Sequence, residues 1–107
     1  MVIDVRSRLR IADEELAAFC AKWKIVRLEL FGSALREDFG PESDIDLLVT
    51  FAQDAPWSLL DIVHLEEELS LLLGRKAEIA ERSAIEQSAN PFRRKRILGS
   101  AQLLYAA

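Results

Sequence analysis

The sequence predicts a small α/β fold in which a sheet of about three or four strands is covered by helices. Two observations carry this prediction. Two kinds of segment alternate along the chain. In one kind, apolar residues recur three and four positions apart, as is typical of helices; in the other, apolar and polar residues alternate over a short length, as is typical of strands. The chain also has only 107 residues, half of them hydrophobic and 30% charged. That composition suits one modest core, so we expect a single domain over residues 1–107.

The first predicted helix has Asp13 as its N-cap and ends at about Trp23. Its buried face follows helical spacing and comprises Leu16, Phe19, Cys20 and Trp23. Residues 26–31 then alternate and predict a strand, with Val26, Leu28 and Leu30 on one face and Arg27 and Glu29 on the other. A short helix over residues 34–37 and a turn over residues 39–43 are expected to follow.

Residues 44–51 form the second predicted strand. One face carries Ile45, Leu47, Val49 and Phe51, and the other carries Asp44, Asp46, Leu48 and Thr50. A long helix is expected to open at residues 54–56, with Pro56 near its first position, and to stop at Gly74. Its core stripe is Ile62, Leu65, Leu69 and Leu72, and its apolar surface is widened by Trp57, Leu60, Leu71 and Leu73. Either both sides of this helix are covered within the fold, or one side meets a partner.

The remaining chain predicts a short strand over residues 75–80 and a final helix capped by Asn90-Pro91. The buried face of that helix is expected to include Ile97, Leu98, Ala101, Leu104 and Tyr105. The predicted order is therefore helix, strand, short helix, strand, helix, strand, helix.

Charge and composition narrow the class of protein. The net charge of −4 does not favour nucleic acid as a direct partner, although the run Arg93-Arg94-Lys95-Arg96 is locally basic. That run is either a solvated helix face or a contact for something negative nearby. The single Cys20 is expected to be a small apolar residue on a helix, as in a reducing cytoplasm. No apolar run reaches the roughly 20 residues needed to span a bilayer, so we expect a cytoplasmic protein without membrane contact.

Asp44 and Asp46 are the first candidate site residues. Two positions apart on a strand, their side chains emerge on the same face, while Ile45 and Leu47 anchor the other face in the core. Carboxylates so close repel each other unless a cation lies between them, and Mg²⁺ prefers such oxygen ligands. The alternative is a solvated strand edge in which Asp44 caps a local turn.

Gly32-Ser33 lies where the first strand ends and a short helix is expected to begin. Unpaired backbone N–H groups at such a point bind phosphate, and glycine allows the backbone to approach the ligand closely. The Ser33 hydroxyl can donate to a phosphate oxygen, and Arg36 lies one turn further along. A Gly-Ser pair by itself is most often only a turn.

The combination of Gly32-Ser33, ten intervening residues and Asp44-x-Asp46 resembles the signature of the DNA polymerase-β-like nucleotidyltransferases. Two segments are similar to the minimal nucleotidyltransferase (MNT) family: residues 30–36 and residues 43–49, the second of which begins at Ser43. The similarity continues through Gly74 to the C-terminal residues. It implies the polymerase-β-like palm fold. It also implies a nucleoside triphosphate site formed by Gly32, Ser33, Arg36 and Ser43, with ATP as the substrate.

The same resemblance implies a third carboxylate on the neighbouring strand, where Glu78 replaces the usual aspartate. Asp44, Asp46 and Glu78 would then be the catalytic residues and the ligands of two Mg²⁺ ions. Glu78 would take the proton of the attacking hydroxyl; the alternative is a surface residue near Arg75 or Lys76. Glu37 is a second departure, since many relatives have glycine after the arginine.

A chain of 107 residues leaves no room for an acceptor-binding domain, so we expect the acceptor to come from another subunit or another protein. The family resemblance implies which one. It implies an antitoxin that transfers AMP from ATP to a tyrosine of a HEPN ribonuclease toxin. Two alternatives stay open. In the first, the chain neutralises its toxin by binding alone and the nucleotide site is vestigial. In the second, the chain assembles as a homo-oligomer, a homodimer, and modifies a small molecule such as an antibiotic.

Overall fold

The computed structural model of the chain describes residues 9, 11–32 and 44–107. Its elements are α1 (Asp13–Lys22), β1 (Ile25–Phe31), β2 (Ile45–Phe51), α2 (Leu59–Leu73), β3 (Ala77–Glu81), α3 (Arg82–Glu86), α4 (Pro91–Ser100) and β4 (Gln102–Ala106). The short helix and turn predicted over residues 34–37 and 39–43 lie outside the described residues.

The strands form one four-stranded sheet in the order β3-β2-β1-β4. β1 runs antiparallel to both of its neighbours, whereas β2 and β3 are parallel. The predicted sheet of about three or four strands covered by helices is therefore confirmed, and the sheet is mixed. In this topology the starts of β2 and β3 meet the end of β1 at one end of the sheet.

The two faces of β2 pack into different clusters, as its alternating pattern predicts. Ile45, Leu47 and Val49 belong to the main core, where α1 contributes Leu16, Phe19 and Cys20 and α2 contributes Leu65 and Leu69. On the opposite face Leu48 packs with Ile85 of α3 and Ile97 of α4. The aspartates share the face of Leu48, and hence lie on the side of the sheet that α3 and α4 cover only in part.

Two helix starts differ from the prediction. The N-cap of α1 is Ala12, so the carboxylate of Asp13 lies within the first turn and does not cap it. α2 begins after Ser58, because the side chains of Ser58 and Asp61 form a reciprocal capping box. Pro56 therefore precedes the helix, while Gly74 ends it at a φ of 71°, as expected.

The largest difference between the predicted and the observed secondary structure is in the C-terminal region. Asn90 caps α4 as predicted, since its side chain accepts hydrogen bonds from the N–H groups of Phe92 and Arg93. The helix ends at Ser100, however, and residues 102–106 form β4 beside β1. Ile97, Leu98 and Ala101 pack against the second cluster, whereas Leu104 and Tyr105 pack against the main core as strand residues. The short helix α3 was not predicted.

β1 departs from strict alternation. A register irregularity between Ile25 and Arg27 leaves Val26 exposed and gives the buried position to Ile25. Glu29 is 3% exposed, although its position was predicted to be polar and outward. Its carboxylate accepts a hydrogen bond from Arg82 Nη1 at 2.5 Å and lies 3.3 Å from Arg27 Nε, which compensates the buried charge.

One side of α2 is not covered by the described part of the chain. Leu65 and Leu69 are fully buried, but the outward-facing apolar side chains are exposed: Leu59, Leu60, Val63 and Leu71. Leu59 and Leu71 are 82% and 85% exposed. The described residues thus cover only one side of α2. Of the two alternatives given for this helix, coverage of both sides within the fold does not hold for the described part of the chain. Within the described residues, no helix is long and apolar enough to cross a membrane.

Cys20 is completely buried in the main core, and burial raises the pKa of its thiol to about 12. We expect iodoacetamide at pH 8 to leave Cys20 unmodified in the folded protein, because the reactive thiolate is scarcely populated. In urea the same thiol should react at once, which mass spectrometry would show. Rapid alkylation of the folded protein would contradict this packing.

Candidate nucleotide and metal site

Gly32 and Asp46 lie against each other at the end of the sheet where β1 ends and β2 begins. Gly32 follows β1 directly, and Phe31 pairs with Asp46 across the two strands. The φ of Gly32 is 69°, in the left-handed region that favours glycine. A Cβ on Gly32 would lie only 2.5 Å from Asp46 Oδ2. Glycine at this position thus lets the backbone approach the carboxylate.

Glu78 lies beside Asp46 on the neighbouring strand. β2 and β3 pair in parallel with Asp46 opposite Glu78, so both side chains project from the same face of the sheet. Asp44, two residues before Asp46, shares this face just before β2 begins. The backbone therefore brings the three predicted carboxylates to adjoining positions.

Lys76 is a cation next to these carboxylates. The Nζ atom of Lys76 lies 3.2 Å from Glu78 Oε1. Lys76 is two residues before Glu78, so both side chains lie on the same face of the sheet. The hydrogen bond to Glu78, together with the charges of Glu78 and Asp44, raises the pKa of Lys76 above its ordinary value of 10.5. The contact between Glu78 and Lys76 is the one that the alternative interpretation of Glu78 expected. It does not distinguish that interpretation from a catalytic one, because both require Glu78 on this face.

The donor chemistry suits a hard divalent cation. Three carboxylates at adjoining positions supply oxygen ligands, and their mutual repulsion favours a cation between them. Across the described ranges, no three Asp, Glu, His or Cys side chains are already arranged as a ligand set. Glu78 is 51% exposed and turned to Lys76, so its carboxylate would have to move to join Asp46 on a metal.

The other predicted nucleotide-binding residues lie outside the described residues: Ser33, Arg36 and Ser43, together with Glu37. Their predicted roles stay predictions. His64 is exposed on α2. The basic run lies on α4, where Arg94 Nη1 donates to the carbonyl of Ser88 at 2.9 Å.

A separate cleft of about 530 Å³ lies at the opposite end of the strands. Its lining includes Arg27, Thr50, Trp57, Arg82 and Glu86. Thr50 is four residues beyond Asp46, about 13 Å along an extended strand, so this cleft is distinct from the carboxylate group. Sequence reasoning did not single it out, because its residues come from four different elements.

The comparison with protein families decides the assignment. The family model for the nucleotidyltransferase domain matches residues 13–104, which include Gly32, Asp44, Asp46 and Glu78. The chain belongs to the nucleotidyltransferase domain family. It is therefore an enzyme of the class that transfers a nucleotidyl group, and the resemblance seen in its motifs is confirmed.

Relatives in this family include small proteins of about the same length as this chain. A Methanocaldococcus jannaschii protein named as a protein adenylyltransferase is 38% identical over 76 residues, which cover 71% of this chain and 72% of the relative. The solved structure of a minimal nucleotidyltransferase is 30% identical, covers 95% of this chain and 97% of its own, and superposes with a TM-score of 0.65.

A second solved structure with this fold is a complex. It contains a tri-AMPylated HEPN toxin of Shewanella oneidensis with an MNT antitoxin, and it matches with a TM-score of 0.58 and 17% identity. The match covers 88% of this chain and 69% of the solved one. At that identity the likeness establishes the shared fold.

The close approach of Gly32 to Asp46 leads to a prediction for this nucleotidyltransferase. Gly32→Ala should lower nucleotidyl transfer by at least about tenfold, because the new methyl group displaces the Asp46 carboxylate and about 1 kcal/mol of backbone strain is added. Gly99→Ala is the matched control, since a Cβ there meets nothing within 4 Å. Both variants would be assayed for transfer and for thermal stability. Full transfer activity in Gly32→Ala would contradict the placement of Asp46.

Proposed function

We propose that the chain is an Mg²⁺-dependent antitoxin that transfers AMP from ATP to a tyrosine hydroxyl of a cognate HEPN ribonuclease toxin and so neutralises it. The observation that carries this proposal is the adjacency of Asp46 and Glu78 on parallel strands, with Gly32 against Asp46. The named activity of the M. jannaschii relative and the AMPylated toxin in the solved complex supply the reaction and the partner class.

The site residues divide into metal ligands, triphosphate-binding residues and a proton acceptor, and Glu78 has two of these roles. Asp44, Asp46 and Glu78 would hold two Mg²⁺ ions, which neutralise charge on the triphosphate and orient it. Gly32, Ser33, Arg36 and Ser43 bind the triphosphate. The tyrosine oxygen attacks the α-phosphorus, the bond from the α-phosphorus to the bridging oxygen breaks, and pyrophosphate leaves. Glu78 accepts the proton of the attacking hydroxyl.

A protein acceptor agrees with the surface of the chain. The exposed apolar row on α2 consists of Leu59, Leu60, Val63 and Leu71, and such rows are typical of protein interfaces. A depression beside this row is lined by Val63, Leu71 and Lys76. A protein seated over this depression would contact Lys76, the residue paired with Glu78.

A second candidate function is neutralisation by binding alone. The observation that favours it is the exposed apolar row on α2, which can bind a protein whether or not the carboxylates act. Under this alternative the apolar row on α2 would still bind the toxin, but no AMP would be transferred.

The deciding experiment is to incubate the chain with Mg²⁺ and its HEPN toxin partner, using ATP labelled on the α-phosphate in one series and on the γ-phosphate in another. Label from the α-phosphate alone should appear on the toxin. Glu78→Gln should abolish it, whereas Glu81→Gln, an exposed carboxylate on the same strand, should leave it unchanged.

The other outcomes separate the alternatives. Toxin inhibition without label, retained in Asp44→Asn and Asp46→Asn, would establish neutralisation by binding alone. Label on an antibiotic in the absence of any toxin would establish the small-molecule transferase. Either result would overturn the proposal.

A further inference from the structure

Lys76 lies among the carboxylates of the candidate site. Its Nζ is 3.2 Å from Glu78 Oε1, and the charge of Asp44 also acts on it. The backbone fixes this arrangement, because the carbonyl of Lys76 accepts a hydrogen bond of 2.9 Å from the N–H of Ile45, the residue after Asp44. An ammonium group therefore lies next to Glu78 and within the field of Asp44.

The ion pair between Lys76 and Glu78 is open to water. The two side chains are 66% and 51% exposed, unlike the buried carboxylate of Glu29 with its 4%. Exposed pairs of this kind contribute little to folding and exchange readily. The contact can thus be broken at small cost when another cation competes for Glu78.

We propose that Lys76 is a built-in counter-ion, which neutralises Glu78 in the metal-free protein and must be displaced from it before a divalent cation can be held. This inference rests on the proposed function of the site, since it takes Glu78 as a metal ligand. It adds a device that the carboxylates alone do not provide, because Lys76 makes binding of the metal depend on the nucleotide.

The dependence follows from charge. A bare divalent cation entering the site meets the Lys76 ammonium only a few ångströms away and is repelled by it. A cation that arrives with a triphosphate brings negative oxygens, and the displaced ammonium can pair with these. Lys76 therefore disfavours occupancy by metal alone and favours occupancy by metal and nucleotide together.

The test is the affinity for Mn²⁺, measured by electron paramagnetic resonance of the free ion, with and without α,β-methylene-ATP. Lys76→Met removes the charge but keeps much of the side chain. It should bind Mn²⁺ alone about tenfold more tightly than the unmodified chain. In the presence of the nucleotide analogue this gain should disappear or reverse. Lys76→Arg, which keeps the charge, should stay within about twofold of the unmodified chain.

Lys24→Met is the matched control. Lys24 also forms an exposed ion pair, with Asp54 Oδ2 at 3.1 Å, and its removal should leave Mn²⁺ affinity unchanged. An equal or weaker affinity for Mn²⁺ alone in Lys76→Met would overturn the inference. A nucleotide-independent gain would overturn it as well. Circular dichroism and the melting temperature would establish that each variant is folded, and Lys76→Gln replaces Lys76→Met if that variant is not.

The outcome can be told apart from that of the proposed function. If Lys76→Met tightens Mn²⁺ binding but no toxin is AMPylated by the unmodified chain, the counter-ion is correct and the proposed reaction is wrong. If AMP is transferred but Mn²⁺ affinity ignores Lys76, the reverse holds. If Mn²⁺ binds neither protein, with or without the nucleotide analogue, both are wrong.

Discussion

Asp46→Asn should reduce AMP transfer by on the order of a thousandfold. A catalytic metal contributes several kcal/mol of charge stabilisation, and about 4 kcal/mol corresponds to that factor in rate. Asp46 is the carboxylate with the strongest structural support, since it pairs with Glu78 on one side and contacts Gly32 on the other. Transfer would be measured as AMP incorporated per minute at saturating ATP.

The substitution is nearly isosteric and should leave folding intact. Asp54→Asn is the matched control, because Asp54 is an exposed carboxylate that pairs with Lys24 in the segment after β2. It should retain full transfer. Activity in Asp46→Asn within tenfold of the unmodified chain would show that the metal lies elsewhere.

Arg82→Met should lower the free energy of unfolding by about 2–4 kcal/mol, because it leaves the Glu29 carboxylate buried without its main partner. Arg27 Nε, at 3.3 Å, would compensate only in part, since that side chain is half exposed. Urea unfolding followed by tryptophan fluorescence would measure the change in midpoint.

The double variant Glu29→Met/Arg82→Met provides the control for this mechanism. Once both charges are removed, most of the lost stability should return, because the site then lies in apolar surroundings. Arg93→Met, an exposed residue on α4, should change stability by less than about 0.5 kcal/mol. An Arg82→Met variant as stable as the unmodified chain would show that Glu29 does not depend on Arg82.

Local patterns predicted most of the fold because the relevant periodicities are short. The faces of β2, the strand β1 and the stop at Gly74 all follow from spacing and backbone chemistry within a few residues. β4 was missed for the opposite reason. The apolar residues at 97, 98, 101, 104 and 105 fit helical spacing equally well. Only pairing with β1, whose partner residues lie 72 to 79 positions earlier, selects the strand.

In the candidate site, too, local spacing predicted some features, while others depend on residues far away in the sequence. The shared face of Asp44 and Asp46 follows from their spacing, whereas the position of Glu78 beside them depends on which strand lies next to β2 and in which register. The resemblance to the family supplied that information. The burial of Glu29 could not be predicted locally, since it depends on Arg82, fifty-three positions away.

The central claim is that Asp44, Asp46 and Glu78 hold divalent cations on a triphosphate. Crystals of the chain grown with Mn²⁺ and α,β-methylene-ATP would test it through the anomalous scattering of manganese. We predict peaks about 2.0–2.3 Å from carboxylate oxygens of Asp46 and its neighbours, with the triphosphate beside Gly32. Nucleotide density without manganese at these carboxylates, or manganese bound at another part of the chain, would contradict the account.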